Sequence, residues 1–155
     1  MAIAITISDY LAAHEVIYDV LTHPHTVTSS QSAQMSHVPG GRLAKSVLLE
    51  DEGGYVMVVV PSDRKVNLGE LHRLMKRNLG LATESEINAL FADCELGALP
   101  AIGPAYGIET LVDDALAEQS DIYFEAGDHE QLIHVSSEAF SSLLGEQARH
   151  GCFSH

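Results

Sequence analysis

The chain has 155 residues, 46% of them hydrophobic and 19% charged, which fits one globular domain with a sizeable core and excludes a disordered acidic segment. A formal net charge of -14 argues against a general nucleic-acid binder, and two cysteines, Cys94 and Cys152, are too few for a secreted disulfide framework. The longest apolar runs are strand-sized and the N-terminus lacks a basic, cleavable leader, so the expectation is a soluble cytoplasmic protein with reduced thiols.

Ser8 or Asp9 offers an N-cap for a short helix through His14, and "VIYDVLTH" (16–23) alternates as a strand that Pro24 ends. Thr28 or Ser29 caps a second short helix, closed by Pro39, Gly40 and Gly41. Two strands follow, 43–50 and 54–61, joined by an acidic Gly53-Gly54 turn suited to a hairpin. Asn67, with Glu70 three residues on, caps a helix to about residue 77 that buries Leu68, Leu71 and Met75. "TESE" from Thr83 is a fuller capping box, for a helix burying Ile87, Leu90 and Phe91. After the loop "GALPAIGPAYG" (97–107) come short strands at 108–112, 121–126 and 131–135 and a serine-capped helix at 136–144. No regular βαβ rhythm emerges. The expected class is α+β, a single domain over residues 1–145 with a mixed sheet flanked by helices, and a frayed tail at 146–155.

Lys45 is the residue that a strand core should not want. Alternation places it with Leu43, Val47 and Leu49 on one face, and a buried ammonium must be paired, snorkelling or functional. The basic residues are also unevenly spread. Residues 42–77 hold seven of the eight lysines and arginines against five acids, and the rest of the chain has one arginine against 17 acids. Arg73, Lys76 and Arg77 fall at helical spacing on one side of their helix, which faces either phosphate or plain water.

Familiar nucleotide and nucleophile-elbow motifs are missing. Cys94 lies between Asp93 and Glu95, whose charges raise a thiol pKa, so it reads as a small buried residue rather than a nucleophile. Nine histidines form no ligand set at metal-binding spacing, and no metal is expected. The Gly/Pro loop is either an ordinary surface loop or a stiff segment whose backbone N–H groups approach a ligand and hold an oxyanion.

Taken in order, "LAKSVLL", "VMVVVPSDRKVNLGEL", "DCELGALPAIGPAYGIETLVDD" and "IYFEAGDHEQLIHVSSEAF" resemble the YbaK/ProX family of aminoacyl-tRNA deacylases and the related editing domain of bacterial prolyl-tRNA synthetases. The resemblance implies a partly barrel-like sheet and a trans-editing hydrolase that cleaves the ester of a mischarged tRNA, such as tRNA for proline carrying a small wrong amino acid. It implies no cofactor, the acceptor end of aminoacyl-tRNA as partner, and a synthetase as a possible second one. Lys45 becomes the family's essential lysine, Gly97 and Pro100 part of the loop that places the ester carbonyl, and His129 the histidine of the "AGDH" turn, so Lys45, Gly97 and His129 are the expected catalytic residues. Thr28, Ser29 and Met35 fall near the pocket that gauges side-chain size, with Ser46, Ala98, Pro100 and Ala101 as further substrate contacts. Arg73, Lys76 and Arg77 become candidates for the acceptor stem. In this chain Gly97 precedes Pro100 by three residues where relatives often have four, and Ser46 stands where close relatives often carry asparagine. Two other readings stay open: a noncatalytic module binding tRNA or an aminoacyl ligand, and a Schiff-base enzyme using Lys45.

Overall fold

The computed structural model describes residues 3–155. Its elements run α1 (Ile5–Ala13), β1 (Asp19–Thr22), α2 (Ser29–Met35), β2 (Leu43–Asp51), β3 (Gly54–Pro61), α3 (Leu68–Met75), β4 (Gly80–Leu81), α4 (Glu84–Leu90), β5 (Glu109–Asp113), α5 (Asp114–Ala117), β6 (Asp121–Glu125), β7 (Gln131–Ser136), α6 (Ser137–Leu144) and β8 (Arg149–Gly151). The strands form one mixed sheet in the order β1-β7-β6-β2-β3-β5-β8, with β4 added to β2. The class is α+β. Met1 and Ala2 of the expected domain lie outside the described residues.

The β2–β3 hairpin is the centre of the sheet, with Lys45 opposite Val60 and Asp51 opposite Gly54. Each strand turns alternate residues to opposite faces. On one face Ala44, Leu48, Met57, Val59 and Phe124 join Ile7 and Leu11 of α1 and Phe140 and Leu143 of α6 in the main core. The other face has two separate covers. Leu71 of α3 seals Leu49, Val56, Val58 and Val60, and Ala33 of α2 packs with Leu43 and Leu132. Fully buried leucines such as Leu71 and Leu49 each contribute roughly 1.5–3 kcal/mol, so each cover is held mainly by apolar area.

The capping residues act as their chemistry predicts. Thr28 accepts the Gln31 amide, Asn67 that of Glu70 and Ser136 that of Ala139, and Thr83 and Glu86 form a reciprocal box. α1 starts earlier than the sequence suggests, at Ile5, because the carboxylate of Asp93 receives the Thr6 amide at 2.9 Å and supplies the missing cap from a distant part of the chain. β1 is shorter than expected and leaves Ile17 exposed.

The tail is not frayed. β8 pairs parallel with β5, Phe153 is buried, its amide donates to Asp113 at 2.9 Å, and Lys65 and His155 exchange two backbone hydrogen bonds. A single buried aromatic and a carboxylate 40 residues away hold a segment whose local pattern is uninformative. No helix among the described residues is long and apolar enough to cross a membrane.

Candidate active site

Lys45 stands where the two covers of one sheet face meet. Leu43 lies under α2, and Val47 and Leu49 pack with α3, which leaves the half-buried lysine in the seam between them. Burial lowers its pKa, with the Asp63 carboxylate opposing and the Lys65 charge adding to the fall. The sheet is open beside it. β6 meets β2 only at Leu43↔Tyr123 and Ala44↔Phe124, and β4 meets it only at Leu49 and Glu50, so among the described residues the edge of β2 from Lys45 to Val47 has no strand partner on that side.

Residues 95–101 occupy this window. The Glu95 amide donates to the Gly127 carbonyl at 2.8 Å, and the Ser46 hydroxyl donates to the Leu99 carbonyl at 3.0 Å. Leu99, Ala101 and Ile102 join the main core, whereas Gly97 lies against Val27 and His129, so the segment passes between the two faces. Gly97 has φ +83, and an added Cβ would sit 2.8 Å from the Val27 carbonyl oxygen and 3.1 Å from His129 Nε2. Only glycine fits that conformation and that gap. The Ala98 amide is spent on the Glu95 carbonyl and Pro100 has none to give. The amides of Gly97, Leu99 and Ala101 donate to no partner among the described residues.

Behind the loop lies the turn from β6 to β7. His129, itself at φ +59, donates through Nε2 to the Leu96 carbonyl at 2.6 Å; a carbonyl only accepts, so Nε2 carries the hydrogen. Nδ1 faces Glu125 Oε2 at 4.0 Å, with both side chains almost fully buried, at 3% and 1% exposed. Burial raises the Glu125 pKa to about 7, with Asp128 adding to the rise. The Ser32 hydroxyl pulls the other way, but it is engaged with Thr26 Oγ1 at 2.7 Å and leaves both Glu125 oxygens without a hydrogen bond. His25 stacks edge-on to the His129 ring and reaches Glu95 at 3.3 Å, while the Thr26 amide donates to the His129 carbonyl.

Of the residues picked from the sequence, Lys45, Ser46, Gly97 and His129 thus belong to this window and its surround, and Ala98, Pro100 and Ala101 are buried residues of the same loop. His129 is buried: one ring nitrogen is bonded to Leu96 and the other is turned toward Glu125, so the ring packs against the loop. On α2, the Thr28 hydroxyl is used as a cap, Ser29 is buried, and Met35 is exposed beside a hollow of about 300 Å³ lined by His25, Thr26, Gln31, Gln34 and Met35. A larger hollow of about 580 Å³, bounded by Pro104, Ile108, Thr110 and Leu144, contains none of these residues.

The three cations do not share a helix face. α3 ends at Met75, Lys76 is its left-handed C-cap, and Arg77 turns away to clamp Asp51 with two hydrogen bonds of 2.7 Å, with Glu109 at 3.5 Å. Arg73 stays on the helix, exposed and paired with Glu70 at 3.0 Å. The Cys94 thiol, between Asp93 and the Tyr106 hydroxyl, is pushed up to about 12, mainly by burial, in keeping with an inert thiol. Glu125, Ser32 and Val27 were not singled out in the sequence. The signal for Glu125 is visible only with the strand pairing in hand: Leu43 sits beside Tyr123, so Lys45 and Glu125, two residues further along each strand, turn to the same face.

Comparison with known proteins matches residues 23–143 to the family model of the aminoacyl-tRNA editing domain. The chain belongs to the aminoacyl-tRNA editing domain family. Within it, the chain is 29% identical over 112 residues to the proline--tRNA ligase of Leuconostoc citreum (strain KM20), covering 72% of this chain and 19% of that protein. The chain therefore corresponds to about a fifth of that curated relative. Two solved structures share the editing-domain fold. One is the hypothetical protein APE2540, with TM-score 0.84 and 21% identity, covering 97% of this chain and 99% of that one. The other is described as a candidate trans-editing enzyme for prolyl tRNA synthetase, with TM-score 0.83 and 21% identity, covering 98% and 96%.

Proposed function

We propose that this editing domain is a deacylase acting in trans on the ester of a mischarged tRNA, with tRNA for proline carrying a small wrong amino acid as the first candidate. The observation that carries the reading is the half-buried Lys45 at an unpaired strand edge, next to a loop with three uncommitted amides. An aminoacyl ester is already reactive, so the site needs position and an oxyanion cradle rather than a nucleophile of its own. The Gly97, Leu99 and Ala101 amides are the candidate donors to the tetrahedral oxyanion. Lys45, partly desolvated and so a strong partner for an anion, holds the terminal phosphate or carbonyl end of the substrate. Attack comes from water, aided by the ribose hydroxyl of the terminal adenosine.

Selection would follow the usual sieve, in which the space near Met35 and the start of α2 admits a small side chain and excludes a larger one. Arg73 and Lys76 lie on or at the end of the helix that covers Lys45's face of the sheet, and they are the proposed phosphate contacts. Arg77, committed to Asp51, is left out of that role. A cytoplasmic setting follows from the substrate. The test is hydrolysis of alanyl, seryl and cysteinyl esters on tRNA for proline, wild type against Lys45→Ala.

A further inference from the structure

We propose that Glu125 is a positioning residue for this reaction: through the ring of His129, its buried carboxyl sets the place of the Leu96 carbonyl and hence of the Gly97, Leu99 and Ala101 amides. The inference rests on the deacylase reading for its kinetic consequence, but its structural claim stands on the contacts alone. Four observations carry it. Both Glu125 oxygens and His129 Nδ1 are buried without a hydrogen-bond partner among the described residues. They face each other at 4.0 Å. The opposite ring nitrogen holds Leu96 at 2.6 Å, and the next residue, Gly97, has no room for a Cβ against that same ring.

Proton counting shows what the arrangement does. With Nε2–H committed to Leu96, one proton remains for the gap between Nδ1 and the carboxyl. On Glu125 it gives a neutral acid facing a neutral ring; on Nδ1 it gives a ring cation opposite a carboxylate. Either way the pair is neutral overall, which a dry site tolerates. Once that proton leaves, a bare carboxylate faces a bare ring nitrogen. The surrounding groups offer little relief. Asp128 Oδ2 is itself buried and unpartnered, Ser32 and Thr26 are uncharged and bonded to each other, and His25 lies edge-on to the ring with Glu95 beyond it. Lys45 turns to the same face from β2 without pairing to the carboxylate. The repulsion pushes the ring from its place and the Leu96 carbonyl with it, so the amide cradle is set only while the pair keeps its proton.

The experiment has a spectroscopic and a kinetic arm. Carboxyl carbon and imidazole nitrogen NMR are recorded on the wild type from pH 5 to 9, with the Glu125 signal assigned by its loss in Glu125→Gln and the ring signals by their loss in His129→Gln. The expected result is that the His129 nitrogens shift in step with the Glu125 carboxyl near neutral pH, and that Glu125→Gln, whose amide donates without titrating, removes that step. Deacylation kcat in Glu125→Gln is expected to fall about tenfold with KM within about twofold, and its pH profile to lack the inflection expected of the wild type. His129 signals that pass unchanged through the Glu125 titration overturn the proposal, and that observation needs no variant to fold. If the wild type hydrolyses no ester, the deacylase reading fails while the spectroscopic arm still decides the linkage.

Discussion

Replacing Glu125 with glutamine should make the protein's stability less sensitive to pH, in a direction the structure fixes. The ordinary glutamate value is 4.5 and burial raises it to about 7 in the fold. The folded chain therefore holds this proton more tightly than the unfolded chain. Its favourable contribution is complete below about 4.5, falls as pH rises, and is gone above about 7. The shift corresponds to about 3 kcal/mol of stability lost across that window, a large share of the total for a domain of this size. Glutamine keeps the shape and has no proton to lose. Urea unfolding of both proteins at pH 5, 6, 7 and 8 isolates the Glu125–His129 pair, because the groups outside that pair have the same surroundings in the two. The difference in unfolding free energy should move in the variant's favour by about 2.5 kcal/mol from pH 5 to pH 8, since part of the shift is already lost by pH 5. Parallel curves with a constant offset would refute the reasoning, since they would mean that Glu125 titrates as it does in the unfolded chain.

Gly97→Ala should cost about 1–2 kcal/mol from its left-handed backbone alone and abolish ester hydrolysis, because the new methyl group meets the Val27 carbonyl and the His129 ring; thermal melting and a deacylation assay check both. Arg77→Ala should lower the urea midpoint and leave the salt dependence of tRNA binding unchanged, whereas the Arg73→Ala, Lys76→Ala double variant should flatten that dependence with little effect on stability. Iodoacetamide at pH 8 should label the exposed Cys152 well before Cys94, whose thiol is pushed up to about 12; equal rates by mass spectrometry contradict the inert-thiol reading. Borohydride with a carbonyl compound should leave no adduct on Lys45, and an adduct would favour Schiff-base chemistry over ester hydrolysis.

Much of this architecture is written in short-range patterns. The alternation in "LAKSVLL" and "YVMVVVP" sets the central hairpin, and Thr28, Asn67, Thr83 and Ser136 each start a helix where their side chains predict. What the sequence does not carry is long-range completion. Asp93 caps α1 from 87 residues away, and Asp113 ties down Phe153 from 40. The helical spacing of Arg73, Lys76 and Arg77 suggested one cationic face, but Lys76 leaves the helix and Asp51 captures Arg77. The site divides along the same line. Lys45 is visible as a charge on an apolar strand face and Gly97 as part of a Gly/Pro loop, and the sequence pattern of the editing family joins the two. Glu125 could not be read in this way, because its meaning depends on the two-residue pairing of β2 with β6 and on a turn that brings His129 back over the same strand.

The central claim is that Lys45 and the adjacent loop form an ester-hydrolysing site. The most direct test is single-turnover deacylation of alanyl, seryl and cysteinyl esters on tRNA for proline by the wild type and by Lys45→Ala, with tRNA binding measured in parallel. The account predicts that at least one ester is hydrolysed by the wild type and falls to the uncatalysed rate in the variant. Hydrolysis that persists in Lys45→Ala, or tRNA binding with no hydrolysis by the wild type, would contradict it.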